Sequence, residues 1–118
     1  AKTVTPLMGD ITEGVLLNDE EADIVLMANI LHGLVVAEGA EPALREANRI
    51  LKPHGLLVVV DFKKISGPPG PRYSIRLSLK EAEAIVSPHG FETKEHFEVG
   101  PYHYAIVFRR KAADPKRF

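Results

Sequence analysis

ADIVLMANILHGL (Ala22–Leu34) and REANRILKPHGLLVVVDF (Arg45–Phe62) decide how this chain is read. Two continuous apolar runs, Ile24–Ala28 and Leu56–Val60, stand on either side of one helical pattern. A run apolar on both faces suits a strand covered by helices on both sides, as in a parallel sheet. Between the runs, Ala40, Ala43, Leu44, Ala47, Ile50 and Leu51 recur at helical steps, which predicts a helix over about Glu38–Leu51 with those residues on one face. Lys52-Pro53 stops that helix and Gly55 begins the turn into a second strand, Leu56–Phe62. The first strand is Asp23–Asn29, and a right-handed crossover makes the two strands parallel. Leu31–Val36, just after the first strand, reads equally as a loop or as an apolar helical turn.

Outward from this strand–helix–strand unit the signals are local. Val4, Leu7 and Met8 form a short apolar patch that ends at Gly9-Asp10, and the acidic stretch over 12–22 reads as a loop. Gly67-Pro68-Pro69-Gly70-Pro71 admits neither helix nor central strand, so 63–77 is a connector or a flap. Ser78-Leu79-Lys80-Glu81 is a capping box opening a second helix, which buries Leu79, Ala82, Ile85 and Val86 and ends at Pro88 and Gly90. Phe91–Val99 alternates as a strand with Phe91, Thr93, Glu95, Phe97 and Val99 on one side. After the Gly100-Pro101 turn, Tyr102–Arg110 returns antiparallel to it.

Composition sets bounds. The 118 residues suit one domain, with 45% hydrophobic and 26% charged residues in an ordinary globular balance. A net charge of −1 and a pI near 6.6 give no electrostatic footprint for nucleic acid or an anionic membrane. With no cysteine there is neither a disulfide nor a thiolate site, which fits a cytoplasmic location, and no apolar stretch approaches the roughly 18 residues that span a bilayer. His32, His54, His89, His96 and His103 lack the paired spacing of a metal site, so no metal is expected.

The element order and the residues together resemble the second half of the class I S-adenosylmethionine-dependent methyltransferases, in particular type 11-like members that act on small molecules. ADIVLMANILH resembles the family's fourth strand and the turn after it. REANRILKPHGLLVVVDF is similar to the family's passage into its fifth strand, with Pro53-His54-Gly55 where Pro-Gly-Gly is usual. RLSLKEAEAIVSPHGF looks like its last helix, and VGPYHYAIVFRRK like its closing hairpin. The resemblance implies an α/β fold: a partial Rossmann-like methyltransferase sheet of parallel strands plus a closing antiparallel hairpin, with two main helices. The 118 residues then form a single half-domain, divided at 1–22, 23–62, 63–77, 78–111 and a tail over 112–118.

By the same resemblance the cofactor is S-adenosylmethionine. Asp10 would receive the adenine amino group, the Ile11 N–H an adenine ring nitrogen, and Ala28 and Asn29 would line the methionine part. A plain turn at Gly9-Asp10 is the alternative. Ligands of open α/β sheets sit at the carboxyl ends of the strands, which singles out three catalytic candidates. His32 has the chemistry to orient or deprotonate a nucleophile, or is an idle loop histidine. Asp61 is a substrate contact, a base, or a cap on the next loop. His103, between Tyr102 and Tyr104, lines a pocket or simply one side of the hairpin.

The family's glycine-rich cofactor loop and its ribose-binding acidic residue precede everything resembled here. The expectation is therefore a C-terminal half that, alone, binds the cofactor weakly or not at all, since charge-assisted hydrogen bonds contribute roughly 1.5–3 kcal/mol each. Ile24–Ala28 then lacks a flanking strand, and an unblunted apolar edge is a template for association. Residues 3–8 would fold in beside it, or a second copy would pair there as a homodimer, or a separate chain would supply the N-terminal half. The expected function is a methyltransferase-related protein acting on a small-molecule acceptor; the alternative is a catalytically inactive dimerisation or binding module.

Overall fold

Both apolar runs become neighbouring parallel strands. The structure, a computed structural model, describes Ile11, Gly14 and residues 17–111. Strand β1 (Ala22–Ala28) pairs in parallel with β2 (Leu51–Phe62), Ile24 lying opposite Leu56 and Ala28 opposite Val60. Strands β3 (Phe91–Val99) and β4 (His103–Arg110) form the antiparallel hairpin, and β4 docks antiparallel on β2, giving the order β1-β2-β4-β3. Helices α1 (Leu31–Val36) and α2 (Ala40–Ile50) make the crossover from β1 to β2, and α3 (Leu79–Val86) leads into β3. This is a partial Rossmann-like sheet, parallel at its core with an antiparallel hairpin, carrying two main helices.

The register explains where the core lies. Val25, Leu57 and Phe108 form one cross-strand row; Met27, Val59 and Ile106 form the next. On that face Leu31 of α1, Ala43, Leu44 and Ala47 of α2, and Ala82 and Val86 of α3 join them in a single cluster. The other face carries Ile24, Leu26, Val58, Val60, Phe62 and Val107, and none of the three helices packs there. Ile24 and Leu26 are 60% and 61% exposed. The expectation of helices on both sides of the sheet is thus corrected: among the described residues they cover one.

Two further differences have local causes. Strand β2 begins at Leu51, not Leu56, because Lys52-Pro53-His54-Gly55 bulges within the strand instead of turning outside the sheet. Ala22 pairs with Leu51 while Ile24 already pairs with Leu56, and His54 takes up the excess chain at φ 64. A side chain at Gly55 would start 2.8 Å from the Lys52 carbonyl oxygen. In β3 the register slips between Thr93 and Glu95, so Thr93 faces the helices whereas Glu95, Phe97 and Val99 face the uncovered side. The ambiguous Leu31–Val36 is a short helix, and the capping box is formed in full: Ser78 Oγ accepts from the Glu81 N–H while the Glu81 carboxylate accepts from the Ser78 N–H. No described helix is long and apolar enough to cross a membrane.

Candidate functional site

Strands β1 and β2 end at the same edge of the sheet. The Asn29 N–H extends their pairing by donating to the Val60 carbonyl at 2.7 Å, and Asn29 then turns the chain at φ 60 into α1. That helix starts at Leu31 without a side-chain cap from Ile30. Asp61, at the end of β2, takes over the task. Its Oδ2 accepts from the His32 main-chain N–H at 3.1 Å, an orphan donor of the first helical turn. Its Oδ1 accepts from the Phe62 N–H at 2.8 Å and faces His32 Nδ1 at 2.7 Å.

Asp61 is 1% exposed, so its charge needs every one of these donors. Because the carboxylate accepts, His32 Nδ1 is the ring nitrogen that donates, and Nε2 is the one left for a ligand. The His32 side chain, 14% exposed, stays within reach of solvent. Two of the three catalytic candidates are therefore brought together across the gap from α1 to β2.

The third is not. Successive residues of a strand point to opposite faces, and Phe62, not Asp61, lies opposite His103; Asp61 lies opposite Tyr104. His103 packs its ring on Phe62 with centroids 4.2 Å apart, while the edge of His32 meets the same phenyl ring at 6.5 Å. His103 Nε2 is buried without a hydrogen-bond partner among the described residues. Tyr104 donates its hydroxyl to the Leu77 carbonyl at 2.8 Å, and burial, helped by the charges of Asp61 and Glu81, pushes its phenol pKa upward.

One residue here had no sequence signal. Arg76 is 3% exposed, and its guanidinium donates to main-chain carbonyls of the Pro-Gly loop: Nε to Pro71 at 2.8 Å, Nη1 to Ile65 at 2.6 Å and Lys63 at 3.4 Å, Nη2 to Gly67 at 2.7 Å and Pro69 at 2.8 Å. Every second carbonyl from 63 to 71 thus points inward to one cation. The same guanidinium lies 5.7 Å from the Phe62 ring centroid, and Gly70 sits so close that a Cβ there would be 2.7 Å from that ring. The loop is a clamped wall rather than a slack connector.

Of the residues implied for a cofactor, Ala28 and Asn29 are exposed at the end of β1, Ile11 is partly buried against the core, and Asp10 lies outside the described residues. Among the described residues no group of His, Asp and Glu is arranged to hold a metal ion.

This mixed sheet is one that a known family shares. A model of the methyltransferase domain family matches residues 1–59, half of the 118-residue chain, and the chain belongs to that family. Among solved structures it is similar to an S-adenosylmethionine-dependent methyltransferase from Aquifex aeolicus, with 28% identity and a TM-score of 0.79 over 92% of this chain and 56% of that one. It is also similar to a Sulfolobus solfataricus protein assigned to the type 11 methyltransferases, with 29% identity and a TM-score of 0.76 over 91% of this chain and 59% of the other. The chain therefore spans somewhat more than half the length of these two structures. The cyclase SpnF matches at 18% identity and a TM-score of 0.67, over 89% of this chain and 55% of that one, a likeness of fold alone. No curated protein matches.

These matches correct the expectation of a C-terminal half without an N-terminal cofactor loop. The family model begins at residue 1, and the structural likeness takes in 92% and 91% of this chain, so the methyltransferase-like fold extends over nearly its whole length. The residues at the β1 end fit the cofactor of that family. Ala28 presents only a methyl group, Asn29 turns the chain away with an exposed amide, and both lie where open α/β sheets take their ligands.

Proposed function

We propose that this protein catalyses methyl transfer from S-adenosylmethionine to a small-molecule acceptor, with His32 as the base and Asp61 as the residue that holds it. The observation that carries this reading is the His32–Asp61 pair, with its 2.7 Å contact, at the carboxyl end of two parallel strands. When bound, the cofactor supplies an electrophilic methyl group on a sulfonium. Ala28 and Asn29 would line its methionine part, and Asp10 with the Ile11 N–H would receive the adenine. His32 Nε2 takes the proton of an acceptor hydroxyl or amine, and the Asp61 carboxylate keeps Nδ1–H directed and stabilises the imidazolium that forms. Positioning supplies the rest of the rate, since the transfer needs its two reacting groups in line.

The test has two parts. Calorimetry with S-adenosylhomocysteine should show saturable binding that Asn29→Asp alters. Incubation with S-adenosylmethionine and a small-metabolite extract should release S-adenosylhomocysteine, and His32→Gln should suppress that release. Cofactor turnover left intact by His32→Gln would remove the proposed base.

A second reading is favoured by the exposure of Ile24 and Leu26. In it the chain serves as a methyltransferase-like binding or dimerisation module, β1 pairing with β1 of a second copy. A two-fold axis would set those strands antiparallel.

A further inference from the structure

Beside the His32–Asp61 pair, on the far side of Tyr104, the start of α3 and the outer end of the β3–β4 hairpin enclose a cavity of about 410 Å³, with the side chains of Lys63, Lys64, Leu79, His96, Glu98 and Tyr104 among its lining. Neither the proposed catalytic pair nor the β1 end contributes to it. Its size falls within the range of small-ligand sites, and it combines an apolar body with a few convergent polar groups, as such sites do. Leu79 and the Tyr104 ring form the floor, and His96 and Glu98, which lie on the helix-side face of β3, form one wall.

The charge sits asymmetrically around that apolar body. Lys64 is committed: its ammonium meets Glu81 at 2.8 Å, and Glu81 in turn caps α3. Lys63 is not held in this way. Its ion-pair partner among the described residues, Glu98 at 3.2 Å, is 80% exposed, whereas the Lys63 side chain is 22% exposed. An exposed carboxylate contributes little to such a pair and is readily exchanged. Meanwhile the Lys63 backbone is fixed at both ends, its N–H donating to the Tyr102 carbonyl at 2.8 Å and its own carbonyl accepting from Arg76. A shielded ammonium on a rigid base, over an apolar floor, is complementary to an anion with an apolar body.

We propose that this cavity is a binding site for a small organic acid, its ring or branched chain on Leu79 and Tyr104 and its carboxylate on Lys63 in place of Glu98. The site stands independently of the methyl-transfer reading. Benzoate and its uncharged isostere benzamide test it by heteronuclear NMR titration of the full chain. Benzoate should shift the amides of Lys63, Lys64, Leu79 and Phe97 saturably, and bind about tenfold more tightly than benzamide, as one charge-assisted contact provides. Lys63→Gln should erase that preference, and Leu79→Ala should weaken both ligands alike. Should Lys63→Gln disturb the fold, salt gives the same answer on the native chain: raising it from about 50 to about 500 mM should weaken benzoate and leave benzamide unchanged. Equal affinity for the two ligands, shifts centred elsewhere, or no saturation would overturn the proposal.

Discussion

Asp61 joins two tasks in one carboxylate: it satisfies an orphan N–H of α1 and directs the ring of His32. Those tasks separate on mutation. His32→Gln should lower methyl-transfer turnover by about 10²–10⁴-fold, the usual contribution of a positioned base, with thermal unfolding nearly unchanged. Arg76 belongs to the same scale but to stability. Lysine has three donors on a flexible stem where arginine has five in a fixed fork, so Arg76→Lys should leave buried carbonyls unpaired. We expect a loss of about 2–3 kcal/mol in urea unfolding and faster amide exchange across 63–71. His32 and Asp61 were each readable as candidates from their place after apolar runs. Their contact was not, because 29 residues separate them. Arg76 was invisible for a different reason: its partners are main-chain carbonyls, which carry no residue identity for a sequence to display.

At the level of elements, helix α3 shows what local patterning gets right. Its capping box was legible because the hydroxyl and the carboxylate lie one turn apart, and Ser78→Ala should cost about 1 kcal/mol of stability in thermal or urea unfolding. The Lys64 ammonium, with the Ser78 N–H, holds the Glu81 carboxyl down to about 2. A group with a lower pKa folded than unfolded contributes stability above the usual glutamate value of about 4.3 and loses it as pH falls towards about 2. Acid titration of unfolding should therefore show a limb in that window which Glu81→Gln flattens. In the Pro-Gly loop, Gly70 at φ 102 touches the Phe62 ring, so Gly70→Ala should destabilise by about 1–3 kcal/mol and shift the His103 ring resonances. The bulge at Lys52–Gly55 was misread as a turn because proline and glycine announce a bend, not whether the sheet continues through it. The slip at Lys94 was likewise decided by the partner strand rather than by the alternation of β3 itself.

Across the whole molecule, the parallel pair and the hairpin were legible, each being set by a short connection or a single crossover. The insertion of β4 between β2 and β3 depends on pairing between distant segments, and the placing of all the described helices on one sheet face cannot be read from runs that are apolar on both sides. Among the described residues β1 has a neighbour on one side only, and its side chains Ile24 and Leu26 add to the apolar face. An edge strand with no lysine or proline invites a partner. Light scattering of the purified chain should thus report a species larger than the monomer, and Leu26→Lys should return it to monomer with its circular dichroism preserved. A wild-type chain that stays monomeric at high concentration would remove the pairing.

The clamp built by Arg76 has an evolutionary corollary. Since it grips the main chain of 63–71, the exposed side chains of Ile65, Ser66 and Pro68 are left free to drift or to be randomised without loosening the anchor. Diversity introduced at Ile65, Ser66 or Pro68 would be displayed from a fixed frame beside the His32–Asp61 pair, much as antibody loops vary on a constant scaffold. A library confined to those positions, with Arg76 and Gly70 retained, is where new acceptor preferences should be sought first.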